Sequence, residues 1–282
     1  MANVAFVGTG LLGSGMVERM VRGGETVTVW NRTDAKARAL ERLGATVAAS
    51  PADAVASADR VHMTLPDDAV VDAIVEAFRP RLRREAVVVD HSTTSPGGTK
   101  MRLERMAGHG VRFLHAPVFM SPQMARDGIG LMMVSGAKVL FESIRDPLAK
   151  MTGEVWYCGE AGDRAAAYKI FGNSMLFVIA AGIADVFAMA KGIGMPPAEA
   201  LEVFSKFQPG NIIKSRGEKM ARGDFEASFE LTMARKDLRL MIEAAADQPM
   251  VVLPSIAKRM DDAIAAGRGR DDLGAIAAEV VG

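Results

Sequence analysis

Asn3-Val4-Ala5-Phe6-Val7-Gly8-Thr9-Gly10-Leu11-Leu12-Gly13 decides how the first half of this chain folds. Val4 to Val7 is a short apolar, β-prone run. It passes directly into Gly8-x-Gly10-x-x-Gly13, and an amphipathic helical pattern then leads to a second strand, Thr26 to Trp30. Strand, glycine turn, helix and strand at these distances make a βαβ unit carrying a dinucleotide fingerprint. Gly8 permits the tight turn that contains Thr9. Gly10 lets backbone approach a pyrophosphate, and Gly13 lets the helix pack closely on the strand. The helix opening at Leu11 and Leu12 offers N–H groups and a positive dipole end to phosphates.

The end of the second strand selects between cofactors. A fold of this type that takes NAD places a carboxylate about 20 positions on, against the ribose 2′-hydroxyl. The residues reached here are Asn31, Arg32 and Thr33. A carboxylate would repel a 2′-phosphate, whereas Arg32 attracts one and can stack on adenine. NADP is therefore expected in preference to NAD.

Composition narrows the class. The 282 residues suit one large or two small domains, and 49% of them are apolar, enough for a real core. The formal net charge is zero with signs well mixed, which argues against a nucleic-acid partner. One cysteine, Cys158, allows no intrachain disulfide and fits a reducing compartment. Four scattered histidines give no metal-ligand spacing. The chain opens in a strand without a charged leader, so no signal peptide is expected. Ile170 to Ala184 is the most apolar stretch, but it contains Asn173 and precedes Asp185. It is too short for a membrane span and reads as a buried helix. A cytoplasmic soluble protein with no membrane partner is expected. Most of the methionines read as core filler.

Strand and helix patterns alternate up to Gly162. Helices are expected over Asp34–Leu43, Pro51–Ser57, from Asp67 or Asp68 to Phe78, and Pro96–Gly108. Strands are expected over Thr46–Ala48, Arg60–Leu65, Ala86–Asp90, Val111–His115, Leu131–Ser135 and Val155–Cys158. Such alternation implies a mostly parallel sheet covered on both faces by helices, an α/β Rossmann-type arrangement. After Gly162 the pattern changes. Asp163 can cap a helix continuing to Lys191, ~42 Å long at the helical rise. Further helices are expected over Ala198–Phe204, Ser215–Ala221, Leu231–Ala246 and Ser255–Ala265. The chain thus divides into an α/β domain, 1–162, and an all-α domain, 163–282, that begins with the long helix.

Three stretches carry chemistry. Lys169 and Asn173 stand at i and i+4 on the long helix and share a face. Apolar surroundings disfavour the charged lysine and move its pKa toward the range used in acid/base work; a snorkelling lysine beside a backbone-bonded amide explains the pair equally well. Lys236-Asp237 lies on an amphipathic helix whose wet face accounts for it. Asp90-His91-Ser92-Thr93-Thr94-Ser95-Pro96 follows a buried strand, at the strand end where open α/β sheets bind ligands. It also reads as a helix cap, with Ser95 before Pro96.

Taken together, these segments resemble the β-hydroxyacid dehydrogenase family, the relatives of 3-hydroxyisobutyrate and 6-phosphogluconate dehydrogenases. The resemblance runs along nearly the whole chain. Gly8 to Gly13 matches the family's N-terminal signature, and Asp90-His91-Ser92-Thr93 matches its D-x-S-T element. Ala116-Pro117-Val118, followed by Ala125 and Gly128, matches its A-P-V segment. Lys169-Ile-Phe-Gly-Asn173 matches its K-x-x-x-N, and Lys236-Asp237-Leu238 its K-D-L. The resemblance implies a Rossmann-type domain, a long connecting helix, a helical C-terminal domain and a homodimer or homotetramer. It implies Lys169 as the general acid/base and Asn173 as the residue orienting substrate. Ser92 and Thr93 would line the substrate and nicotinamide side. Leu65 and Pro66 would pack against the dinucleotide, Lys236 would lie near the cofactor, and Asp237 near substrate.

One departure concerns substrate. Members acting on small 3-hydroxy acids continue A-P-V with Ser-Gly-Gly, which holds a carboxylate. This chain has Phe119, Met120 and Ser121, then Pro122, which lacks an N–H. A related branch of the family carries A-P-V-F here. His115 also replaces a common Asp, and the G-x-G usual just before the lysine is missing. The expected activity is an NADP-dependent oxidoreductase moving a hydride between nicotinamide and an alcohol or carbonyl carbon. An aldehyde, a semialdehyde or a bulkier, less anionic substrate is expected, with oxidation of a 3-hydroxy acid-like compound as the reverse sense. Two rivals stand beside it. One is an imine reductase-like enzyme, although such relatives commonly carry Asp or Tyr at position 169. The other is a non-catalytic NADP-binding module, which retention of Lys169 and Asn173 disfavours.

Overall fold

The computed structural model describes residues 2–281. Its residues fall into two compact units, Met1–Asn173 and Ser174–Gly282. The first unit carries nine strands among the described residues: β1 Asn3–Val7, β2 Thr26–Trp30, β3 Thr46–Val47, β4 Arg60–Met63, β5 Val87–Asp90, β6 Arg112–His115, β7 Val118–Phe119, β8 Gly130–Ser135 and β9 Gly153–Gly159. They form one sheet in the order β3-β2-β1-β4-β5-β6-β8-β7, with β9 also paired to β8. The first six strands run parallel, in the 3-2-1-4-5-6 order of a dinucleotide-binding sheet. β8 is antiparallel to both β6 and β7, then parallel to β9.

Strand periodicity explains how both faces are covered. On β1, Val4 and Phe6 enter one core with Met16, Val17, Leu148 and Met151, while Ala5 and Val7 enter a second core with Val71, Val75, Phe78 and Met106. Two apolar faces on one strand need two helical layers. α1 Leu11–Arg22 and α7 Lys138–Thr152 serve the first, and α4 Asp68–Phe78 and α5 Pro96–Gly108 serve the second. The remaining helices of this unit are α2 Asp34–Arg38, α3 Pro51–Val55 and α6 Pro122–Asp127. Asp67 caps α4 through Val70 N, and Ser95 caps α5 through Gly98 N ahead of Pro96, as the sequence implies.

Several expectations change. The helix over Asp34–Leu43 stops at Arg38, and a separate 3₁₀ turn, Glu41–Leu43, closes on left-handed Gly44. The strand expected to reach Leu65 ends at Met63, because Leu65 N turns to the Ser92 hydroxyl. α6, α7 and β7 are elements the sequence pattern does not announce. α7 holds Pro147 in its interior, which interrupts the helical signature without breaking the helix.

α8, Arg164–Gly192, starts in the first unit and continues into the second. The second unit adds α9 Pro197–Ala200, α10 Ile212–Ala221, α11 Leu231–Ala245, α12 Leu253–Ala263 and α13 Ala278–Val281, with 3₁₀ and π turns between them. The expected Ala198–Phe204 helix is a four-residue helix followed by a 3₁₀ turn. Leu231, Leu238 and Met260 are the largest side chains of this unit's core. Inside α8, Asp185 is buried and its carboxylate accepts from Val251, Val252 and Leu253 N–H at 2.5, 2.9 and 2.8 Å, holding the entry to α12. The expectation that α8 is buried on several sides is not met. Leu176, Phe177, Val178 and Ile179 are at least half exposed.

Candidate active site

The glycine turn has the geometry its sequence demands. Gly8 sits at φ +95°, and a Cβ there would come within 2.2 Å of Thr64 O. Gly13 has a different constraint, since a Cβ would meet Gly8 O at 2.1 Å, so only glycine lets α1 approach the turn. Gly8 N donates to Trp30 O, and the Thr64 hydroxyl donates to Gly8 O at 2.7 Å. Gly10 is the N-cap of α1, with no side-chain cap and no acidic residue in the first turn. A Cβ at Gly10 would meet no protein atom within 4 Å. Bare backbone at an uncapped helix N-terminus is a cradle suited to a pyrophosphate.

This turn forms one wall of a cleft of about 780 Å³. Gly8, Gly10, Leu11, Leu12 and Gly13 line it on one side, Asn31, Arg32 and Thr33 on another, and Leu65, Pro66, Ser92 and Thr93 beyond. Among the expected cofactor residues, Thr9 and Lys236 do not line it. Thr9 is buried, and its N–H donates to the Asn31 side-chain oxygen at 3.0 Å. The Asn31 amide in turn donates to Thr33 O at 3.0 Å. Asn31 is thus a brace between the glycine turn and the end of β2. Lys236 and Asp237 lie on α11 in the second unit, paired with each other at 2.8 Å.

The lining contains no carboxylate. It contains a second cation that the sequence reading passes over, Lys36, one turn into α2. Arg32 and Lys36 are both exposed and make no ion pair among the described residues. The sequence signal for it is a second basic residue four positions after Arg32, inside the helix that follows the strand. Ala69, Val70, Ala73 and Ile74 of α4 add an apolar wall to the cleft. These residues fit a dinucleotide with a 2′-phosphate.

Lys169 and Asn173 are half-buried on the first turns of α8. The Lys169 ammonium donates to Val118 O at 2.8 Å and lies 4.0 Å from the centroid of the Phe119 ring. Burial holds the lysine pKa below its ordinary range. The same ring lies against Gly172, where a Cβ would come within 2.2 Å of it. Phe119 therefore packs on the turn of α8 that carries the lysine. Beside it, Met120 is half-buried and packs against Gly130. Ser121, expected at the substrate site, accepts from Met124 N at 3.2 Å and caps α6. Ser92 is buried, and its hydroxyl accepts from Leu65 N at 2.9 Å, joining two loops of the cleft.

Comparison with known proteins agrees with this architecture. The sequence model of the NAD-binding domain of 6-phosphogluconate dehydrogenase matches residues 3–159. That of the NAD-binding segment of NADP-dependent 3-hydroxyisobutyrate dehydrogenase matches residues 164–280. The cytokine-like nuclear factor N-PAC of Xenopus tropicalis is 28% identical over 243 residues, 85% of this chain. The chain spans only 45% of that relative's length. The 2-(hydroxymethyl)glutarate dehydrogenase of Eubacterium barkeri is 25% identical over 280 residues, covering 97% of this chain and 93% of the relative. An imine reductase from Myxococcus stipitatus in complex with NADP+ superposes with a TM-score of 0.89 at 21% identity, over 97% of this chain and 98% of the other. At that identity the likeness concerns the fold alone.

Proposed function

The chain belongs to the β-hydroxyacid dehydrogenase family, and from that premise we propose that it is an NADP-dependent oxidoreductase reducing an aldehyde or semialdehyde, or oxidising the corresponding alcohol. The observation that carries this reading is a glycine cradle opening on a cleft with two cations and no carboxylate. Gly8 to Gly13 would hold the pyrophosphate, Arg32 and Lys36 the 2′-phosphate, and Leu65 and Pro66 would pack against the dinucleotide. When bound, the cofactor supplies the hydride at C4 of its nicotinamide. Lys169 gives a proton from Nζ to the carbonyl oxygen as that oxygen gains negative charge, and recovers one from solvent. In oxidation the neutral amine takes the hydroxyl proton. Asn173, on the same face of α8, orients the substrate oxygen. Thr93 and Ser92 border the reacting end. Lys236 and Asp237 are assigned to cofactor and substrate on family resemblance. The division at residues 162/163 is supported by two family matches that meet between residues 159 and 164.

Phe119 shapes the substrate class. Its ring occupies the space beside Lys169 where relatives with Ser-Gly-Gly hold a carboxylate, so an apolar group on the substrate fits better than an anion. Phe119→Ser should raise kcat/KM for glyoxylate relative to an aromatic aldehyde by about tenfold, on the scale of 1–3 kcal/mol for pocket contacts. An unchanged ratio in steady-state assays would remove Phe119 from the specificity argument. The reading itself is tested by NADPH oxidation against glyoxylate, succinic semialdehyde, methylglyoxal and larger aromatic aldehydes. Turnover on one class supports it. Turnover on imines with none on carbonyls would favour the imine-reducing rival.

The exposed middle of α8 is taken to be covered by a second copy of the chain. By length and composition alone α8 could cross a membrane, but its stretch free of charged residues, Ile170 to Ala184, is only 15 residues long and is bounded by Lys169 and Asp185. Ala165 and Ala166 near one end and Ala188 and Ala190 near the other are buried in their own units. Light scattering should give twice the chain mass or a higher multiple, and Phe177→Arg should shift it to the monomer mass. A monomeric wild type would refute this assembly. The single, half-buried Cys158 supports a cytoplasmic setting.

The glycines give a paired prediction. Gly13→Ala forces its Cβ against Gly8 O and should cost about 1–3 kcal/mol of stability, as overpacking does. Gly10→Ala meets nothing in the protein, so its melting temperature should stay near wild type while NADPH affinity falls. Equal melting temperatures for the two variants would contradict the geometry.

A further inference from the structure

A buried polar chain runs from the amino end of β4, along that strand, to the carboxyl ends of its neighbours β5 and β6. Arg60 Nε approaches His62 Nε2 at 2.6 Å on β4. His62 Nδ1 lies 2.8 Å from His91 Nε2, just past β5. His91 Nδ1 lies 2.7 Å from Ala116 O, just past β6. Arg60 and both histidines are less than 5% exposed.

The two ends of this chain fix every proton in it. A guanidinium can only donate, so His62 Nε2 must accept and His62 carries its proton on Nδ1. That proton points at His91 Nε2, which must accept in turn. His91 therefore carries its proton on Nδ1 and donates to Ala116 O, which can only accept. A second proton on either ring would set N–H against N–H. Both imidazoles are accordingly neutral. Burial is the first cause in each case, pushing His62 well below the ordinary range and His91 down to about 4.

Ala116 begins the segment that holds Lys169. Its N–H donates to Asp90 O at 2.6 Å while its carbonyl takes the His91 proton, so both sides of the residue are pinned. Pro117 follows with a fixed φ, and its carbonyl accepts from Met133 N at 3.0 Å. The next carbonyl, Val118 O, is the acceptor of the Lys169 ammonium, and the next side chain, Phe119, is the ring beside it. We propose that His91 is a positioning residue for Lys169, locking Ala116-Pro117-Val118 through a one-way hydrogen-bond chain that starts at Arg60. The proposal rests on Lys169 being the acid/base group. His91 also lines the cleft, so this is a task beyond bordering it, and His62 has the task of fixing the His91 tautomer.

The test needs no substrate. Lysines are acetylated with limiting acetic anhydride over a range of pH, and each is quantified by peptide mass spectrometry. In the wild type the limiting rate of Lys169, read at the high-pH plateau where every lysine is a free amine, should be lower than that of the exposed lysines. His91→Leu removes the donor to Ala116 O, and Lys169 should then label several-fold faster while Lys36 and Lys100 are unchanged. His91→Asn supplies an amide N–H where Nδ1–H stood, and should restore the slow rate. Wild-type labelling of Lys169 in His91→Leu, or failure of Asn to restore it, would overturn the proposal. If His91→Leu does not fold, all lysines will label faster. The wild-type protein then decides through ¹⁵N spectra of its histidines: a protected Nδ1–H on a non-titrating His91 supports the tie, and an Nε2–H tautomer breaks it. Slow Lys169 labelling in a protein that turns over nothing would count against the proposed activity and leave the positioning argument standing.

Discussion

Lys169→Met should lower turnover by about 10²–10⁴-fold, the usual contribution of a positioned general acid, while NADPH affinity stays near the wild-type value. Methionine keeps the length and apolar stem of the lysine, so contact with Phe119 survives and only the ammonium is lost. No other ammonium is seen on the turn of α8 that Phe119 covers. The pH dependence gives the sign. Reduction needs the protonated lysine, so its kcat falls as pH rises through the Lys169 pKa. Burial sets that pKa below the ordinary lysine range, and the fall comes correspondingly early. Oxidation needs the neutral amine and shows the opposite limb. Both limbs should vanish in Lys169→Met. Steady-state rates across pH, beside a fluorescence titration of NADPH, check all three statements. A variant with wild-type turnover would return Lys169 to the snorkelling role that its helix position also permits.

Arg32→Glu with Lys36→Glu should reverse the cofactor preference. Each cation lost removes a charge-assisted contact of about 1.5–3 kcal/mol with a 2′-phosphate, and each carboxylate gained repels it. NADPH affinity should drop by 10²-fold or more, at roughly 1.4 kcal/mol per tenfold, whereas NADH, which has a free 2′-hydroxyl, should bind as well or better. Both side chains are exposed, so folding should be unaffected. Parallel titrations with the two nucleotides measure the effect. Equal losses for both would place these residues at the pyrophosphate or adenine instead. Wild-type preference for NADH would refute the reading of Arg32 altogether.

How far the sequence announces this structure depends on the range of the interactions. Gly8, Gly10 and Gly13 are legible because their requirement is local: a turn, an uncapped helix start, a close crossing. Ser95 and Asp67 are legible as caps for the same reason. Parallel strands such as Val87–Asp90 show as unbroken apolar runs because both faces are covered. α7 escapes because Pro147 sits inside it, and β7 because two residues carry no periodicity. The ring of Phe119 against Gly172, 53 positions away, has no local signature; the sequence marks Phe119 only as a departure from Ser-Gly-Gly. His62 and His91 are in the same case, since nothing in an isolated strand says which neighbour its imidazole will meet. α8 departs from its expectation for a different reason. An apolar circumference says that a helix will be covered and not which chain covers it.

The most direct test of the central claim is transfer of deuterium from NADPH labelled at nicotinamide C4. The wild-type protein is incubated with the carbonyl panel and the products are read by mass spectrometry. The account predicts one deuterium on the carbinol carbon of at least one aldehyde product, with none in Lys169→Met on the same timescale. Tight NADPH binding with no deuterium reaching any carbonyl or imine, in wild type as in the variant, would contradict it and leave a nucleotide-binding module in place of an enzyme.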